Sequence, residues 1–147
     1  MNCFVCHKHQ TQHQGLVLPF DDFPDFVVAH APDRTEDQSN YIGALIIEPK
    51  RHLKNWAELS DNESTQLGLL MRAVNRILYQ QSDIAHVYNW VFGDAVEHFH
   101  IWLVPRYQDT EQAYWGVKFS EAPNAPKGGE TEMIAFITKL KEQLVDE

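Results

Sequence analysis

The chain has 147 residues, of which 44% are hydrophobic and 22% are charged, a composition typical of one globular domain. Its 12 basic and 21 acidic residues give a formal net charge of −9. This charge argues against binding a nucleic-acid polymer, although a single small phosphate needs only local donors. No apolar run approaches a membrane span, and the N-terminus lacks the pattern of a secretory signal, so we expect a single cytoplasmic domain over 1–147 with no membrane partner.

The first half of the chain predicts two strands followed by one long helix. Phe26–His30 and Tyr41–Glu48 have strand character, and Pro49 ends the second strand. Ser60 followed by Glu63 predicts a capping box, in which each side chain satisfies an amide at the start of a helix. Apolar residues then recur at three- and four-residue steps, which predicts one buried helix face: Leu67, Leu70, Met71, Val74, Ile77 and Leu78.

The second half predicts two strands and a final helix. The strands cover 85–92 and 97–104, with a turn at Gly93 and Asp94 between them. Apolar spacing then marks a C-terminal helix through Met133, Ile137, Leu140 and Leu144. Together the elements predict an α+β fold, with an antiparallel sheet, one long helix packed on one face and a C-terminal helix.

The segment 97–104 carries the most informative residues. Because side chains alternate along a strand, Phe99, Ile101 and Leu103 share one face. His98, His100 and Trp102 share the other face, which places two imidazoles beside an indole. One interpretation is two ordinary polar side chains on a half-exposed sheet. Two histidines in register, with other potential ligands in the chain, favour a functional site.

The cysteine pair Cys3-x-x-Cys6, followed by His7, has three interpretations. Attachment of c-type haem requires export, for which the chain shows no signal. A thioredoxin-like redox pair should follow a strand and open a helix within a βαβ unit. A structural zinc site fits the two-residue gap, because both thiolates reach one tetrahedral ion. His9 and His13 also lie close to the pair and are possible further ligands, as is His7.

Three motifs together resemble the histidine triad nucleotide hydrolases and transferases. Segment 98–106, His-Phe-His-Ile-Trp-Leu-Val-Pro-Arg, is similar to the signature His-x-His-x-His, two apolar residues and Pro-Arg. Segment 43–52, Gly-Ala-Leu-Ile-Ile-Glu-Pro-Lys-Arg-His, resembles the Gly-His-x-Leu-Val-Ile-Pro-Lys-x-His strand end of that family. The pair Cys3 and Cys6 is placed as in its zinc-containing members. The resemblance covers about residues 3–107.

The resemblance implies a role for each matching residue. His100 matches the nucleophile, since a neutral imidazole has a nitrogen lone pair that is able to attack phosphorus. The zinc ligands of such proteins correspond here to four residues: Cys3, Cys6, His52 and His98. The implied substrate is a small nucleotide or a dinucleoside polyphosphate, and the implied assembly is a homodimer.

Three residues depart from the family pattern. Trp102 stands in place of the third histidine, and an indole N–H donates a hydrogen bond but exchanges no proton at neutral pH. An amine leaving group needs an acid, whereas a phosphate departs as a stable anion, so we expect polyphosphate or sugar-phosphate esters to be preferred over phosphoramidates. The related galactose-1-phosphate uridylyltransferases carry a glutamine there, which is no ordinary acid either. A second possible role for Trp102 is to fill a shallow pocket and stack on a base.

The other two departures, Asp94 and Ala95, lie in the turn where the family uses amide and hydroxyl side chains to contact phosphate. Asp94 matches one of those positions and is counted among the candidate substrate-binding residues. It is also expected to cap its own turn, since a carboxylate repels a phosphate unless a cation intervenes. Asn89 is a further candidate for contact with a ribose or phosphate. The departures leave one alternative to an enzyme, a zinc-stabilised nucleotide-binding module without turnover. The cysteine pair leaves a second, a thiol redox protein.

Overall fold

The fold comprises a four-stranded sheet, a two-stranded sheet and three α-helices in a computed structural model that describes residues 3–145. In chain order the elements are α1 (Phe4–Thr11), β1 (Phe26–His30), β2 (Asn40–Tyr41), β3 (Leu45–Pro49), α2 (Asp61–Tyr79), β4 (Ile84–Trp90), β5 (Ile101–Tyr107), β6 (Lys127–Gly128) and α3 (Glu130–Val145). Short 3-10 helices lie at Gln14–Leu16, Trp56–Glu58, Gln112–Tyr114 and Gly116–Glu121. Within 3–145, no helix has the length and apolar character needed to cross a membrane.

The larger sheet is antiparallel with the strand order β1-β3-β5-β4, and β2 pairs with β6 in the smaller sheet. Trp102 in β5 lies opposite Ile46 of β3 on one side and opposite Trp90 of β4 on the other. The strand that carries the candidate site is therefore an inner strand, fixed by hydrogen bonds along both edges. This arrangement confirms the predicted α+β class with an antiparallel sheet.

Helix α2 begins at the predicted capping box. The Glu63 amide donates to Ser60 Oγ at 3.1 Å, and the Ser60 amide donates to Glu63 Oε1 at 2.8 Å. The predicted apolar face packs against the sheet: Leu67, Leu70, Val74, Ile77 and Leu78 are buried, and Met71 is partly buried beside them. The predicted C-terminal helix is also present, with Met133, Ile137 and Leu140 fully buried.

The predicted strand at 41–48 is two strands in the structure. Gly43 adopts a φ of +102°, a left-handed conformation that interrupts the extended backbone between β2 and β3. The buried His30 ring holds this break in place, because Nε2 accepts a hydrogen bond from the Gly43 amide at 2.9 Å. The two halves then join different sheets, so the predicted continuous strand was wrong at this point.

The predicted strand at 97–104 begins and ends later in the chain. Regular pairing covers Ile101–Tyr107, while residues 97–100 run alongside the segment that follows β3. The Phe99 amide there donates to the Leu53 carbonyl at 2.8 Å. The N-terminal stretch, for which no element was predicted, forms helix α1 from Phe4 to Thr11.

Candidate active site and metal centre

The alternation of side chains around the start of β5 agrees with the sequence pattern. Phe99, Ile101 and Leu103 belong to the buried core beneath α2. His100 and Trp102 are partly exposed on the other face, with ring centroids 6.5 Å apart and planes at 72°. The structure thus brings the predicted nucleophile and its unusual neighbour to the same surface.

The His100 ring is held through one of its two nitrogens. Its Nδ1 lies 2.7 Å from the backbone carbonyl oxygen of His98. A carbonyl oxygen only accepts, so Nδ1 carries the proton and donates it, and Nε2 of the neutral ring keeps a lone pair. Among residues 3–145, no group hydrogen-bonds to Nε2. The local backbone therefore selects the tautomer that a nucleophilic imidazole requires.

His100 and Trp102 line a cavity of about 170 Å³. Helix α1 supplies one wall, and Arg34 from the loop between β1 and β2 supplies part of another. The sheet face that holds His100 is therefore enclosed by the N-terminal helix and a loop, rather than left uncovered. The remaining lining residues come from α1, β3 and the turn before His98: Phe4, Val5, Lys8, Ile46, Glu48, Phe92, Gly93, Asp94, Ala95 and Val96.

A buried ion pair joins α1 to β3 at this cavity. Lys8 Nζ lies 2.8 Å and 2.9 Å from the two carboxylate oxygens of Glu48, and His9 Nε2 lies 3.2 Å from Oε1. Burial by itself would raise the pKa of Glu48, but the hydrogen bond from His9 and the Lys8 charge outweigh it and lower the pKa. Glu48 is therefore ionised and neutralises Lys8, so this pair adds no net charge to the cavity.

The four predicted metal ligands lie together. The ligand atoms of Cys3, Cys6, His52 and His98 are all within 4.8 Å of one another. His98 Nδ1 lies 3.4 Å from both sulfurs, and His52 Nδ1 lies 3.7 Å from Cys6 Sγ. Tetrahedral zinc with ordinary Zn–S and Zn–N bonds requires sulfur-to-nitrogen distances of about 3.6 Å. The donor set and its spacing thus fit zinc.

Local hydrogen bonds orient the Cys3 and His98 side chains so that their ligand atoms face the centre of the cluster. Cys3 is the N-cap of α1, and its Sγ accepts a hydrogen bond from the Cys6 amide at 3.3 Å, which places both sulfurs on one side of the first turn. His98 Nε2 donates to the Pro49 carbonyl at 2.7 Å, so its Nδ1 faces the sulfurs unprotonated. Burial lowers the pKa of His98, which favours the neutral, metal-binding imidazole.

The other N-terminal histidines do not join this cluster. His9 bonds to Glu48, and His13 Nδ1 accepts a hydrogen bond from the Gly15 amide at 2.8 Å. The cysteine pair does open a helix, which is also a feature of thioredoxin-like redox pairs. However, within residues 3–145 no strand leads into this helix, and both sulfurs face imidazoles.

Asn89 is not at the candidate site. It lies opposite the core residue Leu103 in the β4–β5 pairing, and its amide exchanges hydrogen bonds of 2.8 Å and 3.2 Å with Asn75 of α2. Its side chain therefore faces the helix-covered side of the sheet, whereas His100 is on the other side. The structure does not bring Asn89 together with the other predicted substrate contacts, Asp94 and Trp102, which line the cavity.

Asp94 and Ala95 do line the cavity with His100. Within the described chain, however, the Asp94 carboxylate makes no hydrogen bond or ion pair, so the expected turn cap is not formed. Sequence reasoning also missed Lys8, Glu48 and Arg34 as cavity residues. Glu48 had a signal, namely a carboxylate directly after Leu-Ile-Ile in a buried strand, whereas Arg34 lies in a polar loop with no pattern.

Comparisons with solved structures place this geometry in a known fold. A zinc-bound histidine triad family protein from Mycobacterium smegmatis matches with a TM-score of 0.68 at 14% identity, over 99% of this chain and 97% of its own. A Plasmodium falciparum diadenosine triphosphate hydrolase, solved with cyclomarin A, matches with a TM-score of 0.61 at 13% identity, over 92% and 80%.

The NitFhit protein of C. elegans matches with a TM-score of 0.60 at 16% identity, over 87% of this chain, which spans only 27% of that longer protein. No protein-family model and no curated protein matches the sequence. The structural matches cover most of this chain. The chain therefore has the fold of the histidine triad proteins.

Proposed function

We propose that this protein is a nucleotide-phosphate hydrolase or nucleotidyl transferase that acts through a nucleotidyl-histidine intermediate on His100. The hydrogen bond from His100 Nδ1 to the His98 carbonyl carries the proposal, because it leaves Nε2 as the nucleophilic nitrogen of a ring that lines a cavity. The likeness in fold to a diadenosine triphosphate hydrolase supports the same reaction class.

The proposed chemistry proceeds in two displacements. Nε2 attacks the phosphorus of the nucleotide, a phosphorus–nitrogen bond forms, and the bond to the leaving phosphate oxygen breaks. The ring becomes cationic in this step, and the Nδ1–H bond to the His98 carbonyl stabilises that charge. Water or another hydroxyl acceptor then attacks phosphorus and loses its proton to solvent, the phosphorus–nitrogen bond breaks, and the neutral ring returns with its original tautomer.

Trp102 sets the expected class of leaving group. It shares the cavity with His100, and its indole is able to donate a hydrogen bond but not to protonate an amine. A phosphate or sugar phosphate leaves as an anion and needs no such proton. We therefore propose polyphosphate or sugar-phosphate esters as substrates in preference to phosphoramidates.

Zinc is proposed as a structural ion held by Cys3, Cys6, His52 and His98. Four protein ligands complete a tetrahedral shell, so such an ion holds the fold together and takes no part in the reaction. The ligands join the first turn of α1 to the segment before β5, and α1 contributes Phe4 and Val5 to the cavity wall. Bound zinc would thereby fix both the wall and the backbone that orients His100.

A homodimer is proposed on the resemblance, and β4 offers a compatible surface. Among the described strands, β4 pairs with β5 only and so presents a free edge to a second copy. Light scattering coupled to size exclusion tests this, with a mass of two chains expected and a mass of one contradicting it. The cytoplasmic location is a proposal from the sequence.

The second candidate is a zinc-stabilised module that binds a nucleotide without cleaving it. Three cavity residues favour it, since Trp102 is not an ordinary acid and neither Asp94 nor Ala95 offers the amide or hydroxyl expected beside a phosphate. The two candidates share the fold and the ligand class and differ only in turnover.

One experiment separates the candidates. The purified protein is incubated briefly with dinucleoside polyphosphates and nucleotide sugars, quenched, and searched by mass spectrometry for a nucleotidyl adduct on His100. An enzyme gives turnover and an adduct, and both disappear in His100→Ala but persist in His86→Ala, whose imidazole is exposed outside the cavity. Tight binding without turnover or adduct supports the module and rejects the enzyme.

A further inference from the structure

Arg34 has an uncompensated charge beside the candidate nucleophile. It lines the same cavity as His100 and the turn of Gly93 and Asp94, and among residues 3–145 its guanidinium forms no ion pair. The other basic side chain in the cavity, Lys8, is held by both oxygens of Glu48. Arg34 is therefore the basic group of this cavity that remains available to an anion.

The loop between β1 and β2 holds Arg34 in place. The Arg34 amide donates to Asn40 Oδ1 at 3.0 Å, and its guanidinium lies over the Phe4 ring, 5.6 Å from the centroid. Phe4 directly follows the metal ligand Cys3 in the chain, so the metal centre and the Arg34 contact share the start of α1. The charged end of Arg34 is thus directed by an aromatic face rather than by a carboxylate.

Two acidic neighbours in the same loop have hydrogen bonds of their own. Asp33 Oδ1 accepts from the Thr35 amide at 3.2 Å and from Asn40 Nδ2 at 2.8 Å. Asp37 Oδ1 accepts from Ser39 Oγ, and this hydrogen bond lowers the pKa of Asp37. These carboxylates support the loop and leave the Arg34 guanidinium unpaired.

We infer that Arg34 binds the phosphate chain of the substrate and selects for substrates with several phosphates, an inference that rests on the proposed function. A planar guanidinium donates two parallel charge-assisted hydrogen bonds to two phosphate oxygens at once, which suits it to bind a phosphate chain. Arg34 supplies the contact that Asp94 and Ala95 cannot make, and it offsets the Asp94 carboxylate on the same cavity. Arg34 is accordingly a substrate-binding and specificity-determining residue.

The test measures binding and turnover separately. Inorganic tripolyphosphate is titrated by calorimetry into wild type, Arg34→Gln and Arg34→Lys, with Arg72→Gln as a control. Arg72 is exposed on α2, on the far side of the sheet, so its removal makes the same charge change outside the cavity. Loss of one charge-assisted contact should weaken binding roughly tenfold in Arg34→Gln. Arg34→Lys should be intermediate and Arg72→Gln unchanged.

Turnover gives a second readout. For dinucleoside polyphosphates, Arg34→Gln should raise KM roughly tenfold with a smaller change in kcat, while a nucleotide ester of an uncharged alcohol should show little change. Melting temperatures of the variants check that each is folded. Equal tripolyphosphate affinity in wild type and Arg34→Gln, or no binding by wild type, overturns the inference. Arg34-dependent binding without turnover rejects the proposed enzyme and leaves the Arg34 site standing.

Discussion

The carbonyl of His98 accepts the Nδ1–H of His100 at 2.7 Å, while the ring of His98 places Nδ1 3.4 Å from the sulfurs of Cys3 and Cys6. One residue therefore belongs to the candidate metal centre through its side chain and orients the candidate nucleophile through its backbone. Because both contacts involve His98, loss of the metal should disturb the orientation of the His100 ring, although His100 is not itself a ligand.

Metal removal is the first prediction. The purified protein should contain one zinc per chain, and chelation should lower Tm by on the order of 10 °C and abolish turnover. Cys6→Ser should reproduce the loss, whereas His7→Ala, which removes an exposed imidazole outside the cluster, should retain zinc. Elemental analysis measures the zinc content, calorimetry measures Tm, and an assay with a dinucleoside polyphosphate measures turnover. Protein that contains no zinc after reducing purification, and is unchanged by chelator, would contradict the proposed centre.

Substitution of Trp102 tests the class of leaving group. Trp102→His restores a group that protonates an amine, so kcat/KM for a nucleoside phosphoramidate should rise about 100-fold. The value for a dinucleoside polyphosphate should change much less, because its leaving group departs as an anion. Trp102→Phe is the control, since it keeps a ring beside His100 but adds no acid. Equal use of both substrate types by wild type would count against this prediction.

The parts of the fold that follow from local pattern were predictable. The capping box at Ser60, the apolar face of α2 and the alternation around His100 depend on short-range spacing, and each has the expected form. The grouping of Cys3 and Cys6 with two distant histidines came from the resemblance, since spacing alone left other histidines open as ligands.

Other features depend on contacts between residues that are far apart in the sequence. Helix α1 has eight residues and little amphipathic character, and its contacts reach His98, 95 positions away from Cys3, and Glu48, 40 positions away from Lys8. The face of the sheet on which Asn89 lies depends on the β4–β5 register, in which Asn89 is opposite the buried Leu103. A register shifted by one residue would place its side chain on the other face of the sheet.

The ion pair of Lys8 and Glu48 predicts a strong dependence of stability on both partners. Both residues are buried, so Lys8→Met leaves a buried carboxylate with only His9 as a partner and should cost about 3 kcal/mol in the free energy of unfolding. Lys8→Met combined with Glu48→Leu removes both charges and should recover most of that loss. Urea denaturation of zinc-saturated protein measures both. A double variant no more stable than Lys8→Met would show that charge burial is not the cause.

Glu63 makes stability depend on acid pH. Arg51 donates hydrogen bonds of 2.7 Å and 3.2 Å to the two carboxylate oxygens of Glu63, and the Ser60 amide donates a third. These contacts lower the pKa of Glu63 to about 2. An unfolded glutamate titrates near about pH 4.3, so the folded state favours the ionised form. The resulting stabilisation is complete above that pH and is lost as the pH falls toward 2.

Glu63→Gln should therefore have a lower free energy of unfolding than wild type at pH 7. The difference between the two free energies should shrink steadily below about pH 4.3, as Glu63 of the wild type becomes protonated. Urea denaturation of both proteins at several pH values measures that difference, in which effects common to both, such as metal release in acid, cancel. Glu36→Gln, which removes an exposed carboxylate from the loop between β1 and β2, should show no such narrowing. A difference between wild type and Glu63→Gln that stays constant from pH 7 to pH 2.5 would mean that the Arg51 contact does not favour the ionised carboxylate.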